Sequence, residues 1–186
     1  MHTSVSLITN PVGVVLAATI AKKFIDEITE QVSKLEKPPK LVGFLANDDP
    51  AAKMYSDFTE KTSMACGFRF ETRQVNKEDL EDAIMEANQD NDVDGIMVYF
   101  PVFGDRQVKS YRKLADNRTR IYNNVRNKEI LLMAVFDEEK DVEGLSHPWI
   151  KRMYHNVRWL DDAKTKKAIL PCTPLAVIKV TKIKFS

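Results

Sequence analysis

The sequence predicts an α/β fold in which a parallel sheet is covered by helices on both faces. Two short apolar runs of strand length stand at residues 40–46 (KLVGFLA) and 94–100 (DGIMVYF), with an alternating stretch at 68–75 (FRFETRQV) between them. Each pair of successive strands is separated by one segment of helical periodicity. Apolar strands joined by helices favour a parallel arrangement buried on both sides.

Taken in order, Ile20, Phe24, Ile28, Val32 and Leu35 recur at three- and four-residue steps, with Lys22, Lys23, Asp26, Glu27 and Glu30 between them. That is an amphipathic helix, ended by Pro38 and Pro39. After the strand at 40–46, Asp49 supplies an N-cap and Pro50 the first residue of a second helix. This helix runs to about Ala65 and stops at Gly67. The strand at 68–75 follows. Residues 77–89 then read as a third helix, with Leu80, Ile84 and Ala87 on one face. The strand at 94–100 is halted by Pro101. Residues 141–145 (DVEGL) read as a turn, and 149–160 carry scattered aromatics. Thr173 is expected to cap a last helix, with Pro174 at its first position. Ligand loops of such a fold lie at the carboxyl ends of the strands, here beginning at Asn47, Asn76 and Pro101.

Composition excludes several classes of function. The chain has 186 residues, 44% hydrophobic and 30% charged, a size and balance that suit one domain with a core of its own. Lys and Arg number 28 against 27 Asp and Glu, so no overall charge directs it to nucleic acid or an acidic membrane. No apolar run reaches the length of a membrane span. The apolar stretch at 12–21 lacks a basic leader and continues into a charged helix, so no signal peptide is expected. Cys66 and Cys172 stand far apart, which rules out a disulfide framework and suits a reducing, cytoplasmic setting. The six glycines are too widely spaced to write a GxGxxG turn or a P-loop. Three histidines and two lone cysteines give no zinc spacing, so no metal site is expected.

Residues 108–136 depart from the strand–helix pattern. Seven basic residues (Lys109, Arg112, Lys113, Arg118, Arg120, Arg126 and Lys128) face only Asp116 and Glu129, a net charge of +5. Without interleaved aromatics or a known module, nucleic-acid binding is not expected of it. It reads as a solvated insertion outside the fold, of a kind that translated intron sequence would give.

Five stretches carry a family resemblance: LVGFLANDDPAAKMYSDFTEKTSMACGFRF, DGIMVYFPVFG, EKDVEGL, YHNVRWLD and ILPCTPLA. Together they resemble the catalytic, folate-binding domain of the methylenetetrahydrofolate dehydrogenase/cyclohydrolase family, and within it the monofunctional NAD-dependent branch. The resemblance covers residues 15–103 and 137–178. It implies a three-layer catalytic domain over 12–180, interrupted at 108–136, with 181–186 as a truncated tail. It also implies a Rossmann domain that this chain does not carry, so NAD is expected only in a full-length form. Tetrahydrofolate derivatives are the expected ligands, and a homodimer the expected full-length assembly.

The resemblance further implies site residues. Tyr55, Thr59, Tyr99, Phe100, Pro101 and Glu143 fall on the substrate-binding motifs, with Glu143 and Cys172 as catalytic candidates. Bifunctional members place a lysine four residues after the tyrosine; here Thr59 holds that position, and Lys61 lies on another side of the helix. Threonine does not titrate near neutrality, so the proton transfers of the cyclohydrolase step are not expected. Hydride transfer asks mainly for positioning. Tyr99 and Glu143 likewise stand where bifunctional members have glutamine and aspartate. Read without the resemblance, Tyr55 packs on the sheet, Tyr99 is core, Glu143 is a solvated turn residue and Cys172 an inert buried thiol. The alternative to an enzyme's substrate domain is an inactive short form that binds folate or pairs with full-length subunits.

Overall fold

The computed structural model describes residues 17–103 and 132–184, with the side chains of 17 and 181–184 left aside. Its order is α1 (Ala17–Val32), β1 (Lys40–Leu45), α2 (Pro50–Ala65), β2 (Arg69–Gln74), α3 (Leu80–Gln89), β3 (Gly95–Val98), α4 (His147–Tyr154) and α5 (Cys172–Lys184). The strands form one parallel sheet in the order β2-β1-β3, with Leu41 opposite Phe70 on one side and Gly95 on the other.

Strand alternation divides the core between the two faces. Val42, Phe44, Ile96 and Val98 pack with Leu80, Ile84 and Ala87 of α3. Leu45, Met97 and Tyr99 face the other way, against Ala52 of α2 and Phe70. The second helix begins as expected: Asp49 accepts from the backbone N–H of Ala51, and Pro50 opens the helix. Gly67 ends it at φ +92°, a left-handed conformation that glycine adopts without strain.

Three sequence expectations need correction. The third helix starts at Leu80, not at residue 77, because Asn76 ties residues 77–79 into a turn: its carbonyl accepts from the Asp79 N–H and its amide from Asn76 Nδ2 donates to the Asp79 carboxylate. The last helix starts at Cys172, which puts Thr173 inside it instead of capping it. Residues 104–131 lie outside the described residues, but the end of the expected insertion belongs to the fold. Leu132 and Phe136 are buried in the α3-side core, and Asn88 of α3 clasps the segment by donating to the Val135 carbonyl and accepting from the Asp137 N–H. An insertion outside the fold therefore ends before Leu132. The aromatic stretch near Trp149 also contains a helix, α4, entered through Ser146 and Pro148.

The amino end of the sheet is held by charge. Asp92 receives a two-pronged contact from Arg69 at 2.9 and 3.0 Å and one from Lys37 at 2.7 Å. Glu71 is paired with Lys40 at 2.8 Å and with Arg73 at 2.7 Å. These hydrogen bonds, Arg73 first, hold the Glu71 carboxyl down at about 2.

Candidate functional site

The carboxyl end of the sheet brings together most of the residues singled out in the sequence. Tyr55 stands in the second turn of α2, and Tyr99 follows the last residue of β3. Their rings meet edge to face at 5.7 Å. Tyr99 is 3% exposed whereas Tyr55 is 56% exposed, so the pair presents one open ring resting on one buried ring. A side chain on Gly43 would close the seat beneath Tyr99: its Cβ would come within 3.0 Å of Tyr99 Cε2 and 3.1 Å of the hydroxyl. Glycine in the middle of a strand is explained here by the close approach of that ring.

Thr59 lies one helical turn beyond Tyr55 and donates its hydroxyl proton to the Tyr55 carbonyl at 2.8 Å. Its single proton is thus committed to the helix backbone. Burial pushes the Tyr55 phenol up, and the proximity of Cys172 and Glu143 adds to the shift. Cys172 is exposed, at the first residue of α5, with Sγ 4.0 Å from the Thr173 hydroxyl.

Glu143 reaches the site from a turn that a second carboxylate builds. Asp141 is 1% exposed and accepts from three backbone N–H groups, those of Glu143, Gly144 and Ser146, at 3.2, 2.9 and 2.7 Å. Gly144 takes φ +65° within that turn. The preceding residues continue the sheet: the Ile96 N–H donates to the Lys140 carbonyl at 2.7 Å. The next outward donor of β3, the Val98 N–H, is met by the Glu143 carboxylate at 3.4 Å. A long contact of this kind leaves most of the carboxylate's accepting capacity unused. Burial pushes the Glu143 carboxyl up, the Val98 N–H opposes it, and the Asp141 charge adds to the rise. Asp141 was not among the residues singled out. Its Asp-x-x-Gly spacing is a turn signal, but its pairing with Ile96 across 45 positions of chain is a tertiary fact.

Phe100 is not in this group. Alternation turns it to the opposite face, where it packs against the α3-side core. Pro101 follows it through a cis peptide bond, and Asn47 Nδ2 donates to the carbonyls of Tyr99 and Pro101 at 3.2 and 3.1 Å. Asn47, the second residue after β1, thereby fixes the end of β3 against that of β1. A separate polar cleft of about 620 Å³, lined among others by Asn47, Gln74, Asn76 and Lys77, opens over the ends of β1 and β2. Its lining does not include the tyrosine pair. Among the described residues no His, Cys, Asp and Glu group could hold a metal ion, and no helix is long and apolar enough to cross a membrane.

A parallel sheet that gathers an aromatic pair and a carboxylate at its carboxyl end has the arrangement of a ligand-binding α/β domain. Comparison with known proteins specifies which kind. The profile described as tetrahydrofolate dehydrogenase/cyclohydrolase, catalytic domain, matches residues 15–117, more than half of the chain. The chain belongs to that family. It is 48% identical over 167 residues to the methylenetetrahydrofolate dehydrogenase (NAD+) of Schizosaccharomyces pombe, covering 90% of this chain and 46% of that protein. It is 45% identical to the protein of the same name from Saccharomyces cerevisiae, covering 91% of this chain and 48% of that one. The crystal structure of the NAD-dependent 5,10-methylenetetrahydrofolate dehydrogenase from Saccharomyces cerevisiae superposes with a TM-score of 0.76 at 43% identity, over 91% of this chain and 49% of that one. A Trypanosoma brucei FolD structure shares the fold, with a TM-score of 0.69 at 21% identity, over 93% of this chain and 52% of that one. The chain thus spans about half the length of the curated relatives it matches.

Proposed function

We propose that this chain is the folate-binding part of an NAD-dependent 5,10-methylenetetrahydrofolate dehydrogenase that lacks cyclohydrolase activity. The observation that carries the reading is the convergence of Tyr55, Tyr99 and Glu143 at the carboxyl end of the sheet, with Thr59 where a titrating lysine would stand. A flat pterin ring would stack against the open face of Tyr55. Glu143, half-buried and short of donors, would accept from the pterin N–H groups and so set the orientation of the ring. Pro101, held by Asn47, would form one wall, and Cys172 would line the mouth as a catalytic candidate at the start of α5.

The chemistry asked of these groups is modest. Removing hydride from the methylene carbon leaves a cation that the two neighbouring folate nitrogens stabilise, so the protein's task is to align the carbon with the hydride acceptor. Opening the resulting ring would require a group that moves protons near neutrality. Thr59 does not titrate there, and its one proton is engaged by the Tyr55 carbonyl. NAD supplies the acceptor when bound. The described residues do not fit it: Gly43 and Gly95 lie in or at the start of strands, Gly67 ends a helix and Gly144 shapes a turn, so none belongs to a dinucleotide cradle.

The same reading makes the full-length protein a cytoplasmic homodimer in one-carbon metabolism, serving purine biosynthesis. It makes the basic segment before Leu132 a surface insertion in a domain spanning 12–180. The test is a calorimetric titration of the purified 186-residue chain with a stable reduced folate, alongside an assay for NADH. Saturable folate binding without NADH formation is expected. Absence of binding at millimolar folate would overturn the reading, as would NADH formation the assignment of NAD to residues beyond this chain.

A further inference from the structure

Asn47 is partly buried, two residues beyond β1, and its amide is engaged on both sides. Nδ2 donates one proton to the Tyr99 carbonyl at 3.2 Å and the other to the Pro101 carbonyl at 3.1 Å. Oδ1 accepts from the Asp49 N–H at 3.1 Å. With two carbonyls on one side and an N–H on the other, only one orientation of the amide fits.

Each of these contacts lands on a segment that carries part of the tyrosine pair. The Tyr99 N–H still donates to the Phe44 carbonyl of β1 at 3.0 Å, as a strand residue does. Pro101 has no N–H with which to continue such a ladder. The Asn47 amide takes over where the ladder stops, holding the Tyr99 and Pro101 carbonyls beside the end of β1. On its other side is the start of α2. Asp49 caps that helix by accepting from the Ala51 N–H at 2.9 Å, and its own N–H is the one that Asn47 holds. Tyr55 stands in the second turn of the same helix. The two rings that meet at 5.7 Å therefore hang from two segments that one amide joins.

We infer that Asn47 is a positioning residue for the pocket: by joining the start of α2 to the end of β3, it sets the distance and angle at which Tyr55 rests on Tyr99. All three of its hydrogen bonds go to backbone, so it acts through the segments that carry the rings. An amide of this length is needed to serve both sides. Aspartate keeps the acceptor for Asp49 but sets a second oxygen against two carbonyls, and leucine keeps the bulk without donor or acceptor. The inference rests on the proposed function only in taking the tyrosine pair as a wall of the folate pocket.

The test uses Asn47→Asp and Asn47→Leu in the full 186-residue chain. In an edge-to-face pair the protons that one ring turns toward the face of the other are shielded. Proton NMR of the unsubstituted chain should show that shielding, with Tyr55→Ala and Tyr99→Phe assigning it. Both Asn47 variants should lose it, with no ligand present. Affinity for a stable reduced folate should fall by about tenfold in each, the worth of one or two hydrogen bonds. In a Tyr55→Ala background the Asn47 substitutions should add little further loss, because the ring they misplace is already gone. Retained shielding in the folded variants would overturn the inference, as would unchanged folate affinity or losses that add fully to that of Tyr55→Ala. If neither variant folds, the unsubstituted chain decides: the Asn47 side-chain amide protons should exchange slowly with solvent, and exchange at the rate of a free amide would overturn the clamp. Failure of the unsubstituted chain to bind folate would strike the proposed function instead, since the shielding and exchange measurements need no ligand.

Discussion

The two ends of the sheet treat their carboxylates in opposite ways. At the amino end Asp92 and Glu71 are each held by two basic side chains at 2.7–3.0 Å, and Glu71 is drawn down to about 2. At the carboxyl end Glu143 has one long contact with a backbone N–H, and burial pushes it up. Beside it lie a buried phenol with no partner and an exposed ring with no cover. The amino end is electrostatically complete and open to solvent; it ties β1 and β2 to the loop before β3. The carboxyl end is incomplete, with more accepting capacity and aromatic surface than the protein itself uses. Deficits of this kind cluster at ligand sites because a ligand can make them good.

The largest effect should come from the residue that shapes the incomplete end. Asp141→Ala leaves three backbone N–H groups without their acceptor, two of them buried and one partly so. Loss of about 3 kcal/mol or more is expected, at the rate of one or more per stranded donor. Urea denaturation of the variant should show it as a lowered midpoint. A loss below about 1 kcal/mol would mean that the turn is held by something other than its carboxylate.

The second contrast is in pH dependence. Between about 2 and its ordinary value of 4.5, Glu71 is ionised in the folded chain and protonated in the unfolded one. Stability should therefore rise with pH across that window, and fall away as pH drops through it. Glu143 is raised, so just above 4.5 the folded chain binds the extra proton instead. Its contribution to stability should fall as pH rises from 4.5 through the raised value and then level off. Denaturation midpoints across pH for Glu71→Gln and Glu143→Gln, each subtracted from the unsubstituted chain, should have opposite slopes. Slopes of the same sign would remove the distinction between the two ends.

A smaller effect separates them by salt. Because Asp92 and its partners are substantially exposed, Asp92→Asn should lower thermal stability modestly in dilute buffer and hardly at all in 1 M salt, where charges are screened within about 3 Å. A loss that persists undiminished in 1 M salt would show that Asp92 acts through its hydrogen bonds and not through charge.

Much of this arrangement was readable from the sequence where local signals were strong. Asp49 and Pro50 mark the start of α2, and the apolar runs mark β1 and β3, because capping and burial act over a few residues. Tyr55 and Thr59 share a helix face by simple spacing. The failures lie where distant contacts decide. Asn76 gathers the turn that delays α3, and Asn88 recruits residues 132–136 into the core although charge dominates the segment before them. Asp141 looks like any turn residue until its neighbours pair with β3. Phe100 is the instructive case: a motif places it beside Tyr99, but strand alternation alone turns it to the other face. Gly43 is the converse, a lone strand glycine whose meaning appears only once the Tyr99 ring lies on it.

The central claim, that the incomplete end is a folate pocket, is tested most directly by titrating a reduced folate into the unsubstituted chain, Glu143→Gln and Asp92→Asn side by side. Glutamine keeps the shape and the contact with the Val98 N–H but removes the charge that would hold the pterin. The account predicts saturable binding to the unsubstituted chain, weakened by about 1–3 kcal/mol in Glu143→Gln, the worth of a charge-assisted hydrogen bond, and unchanged in Asp92→Asn. Equal affinity in all three would contradict it, leaving Glu143 as nothing more than the cap on the Val98 N–H of β3.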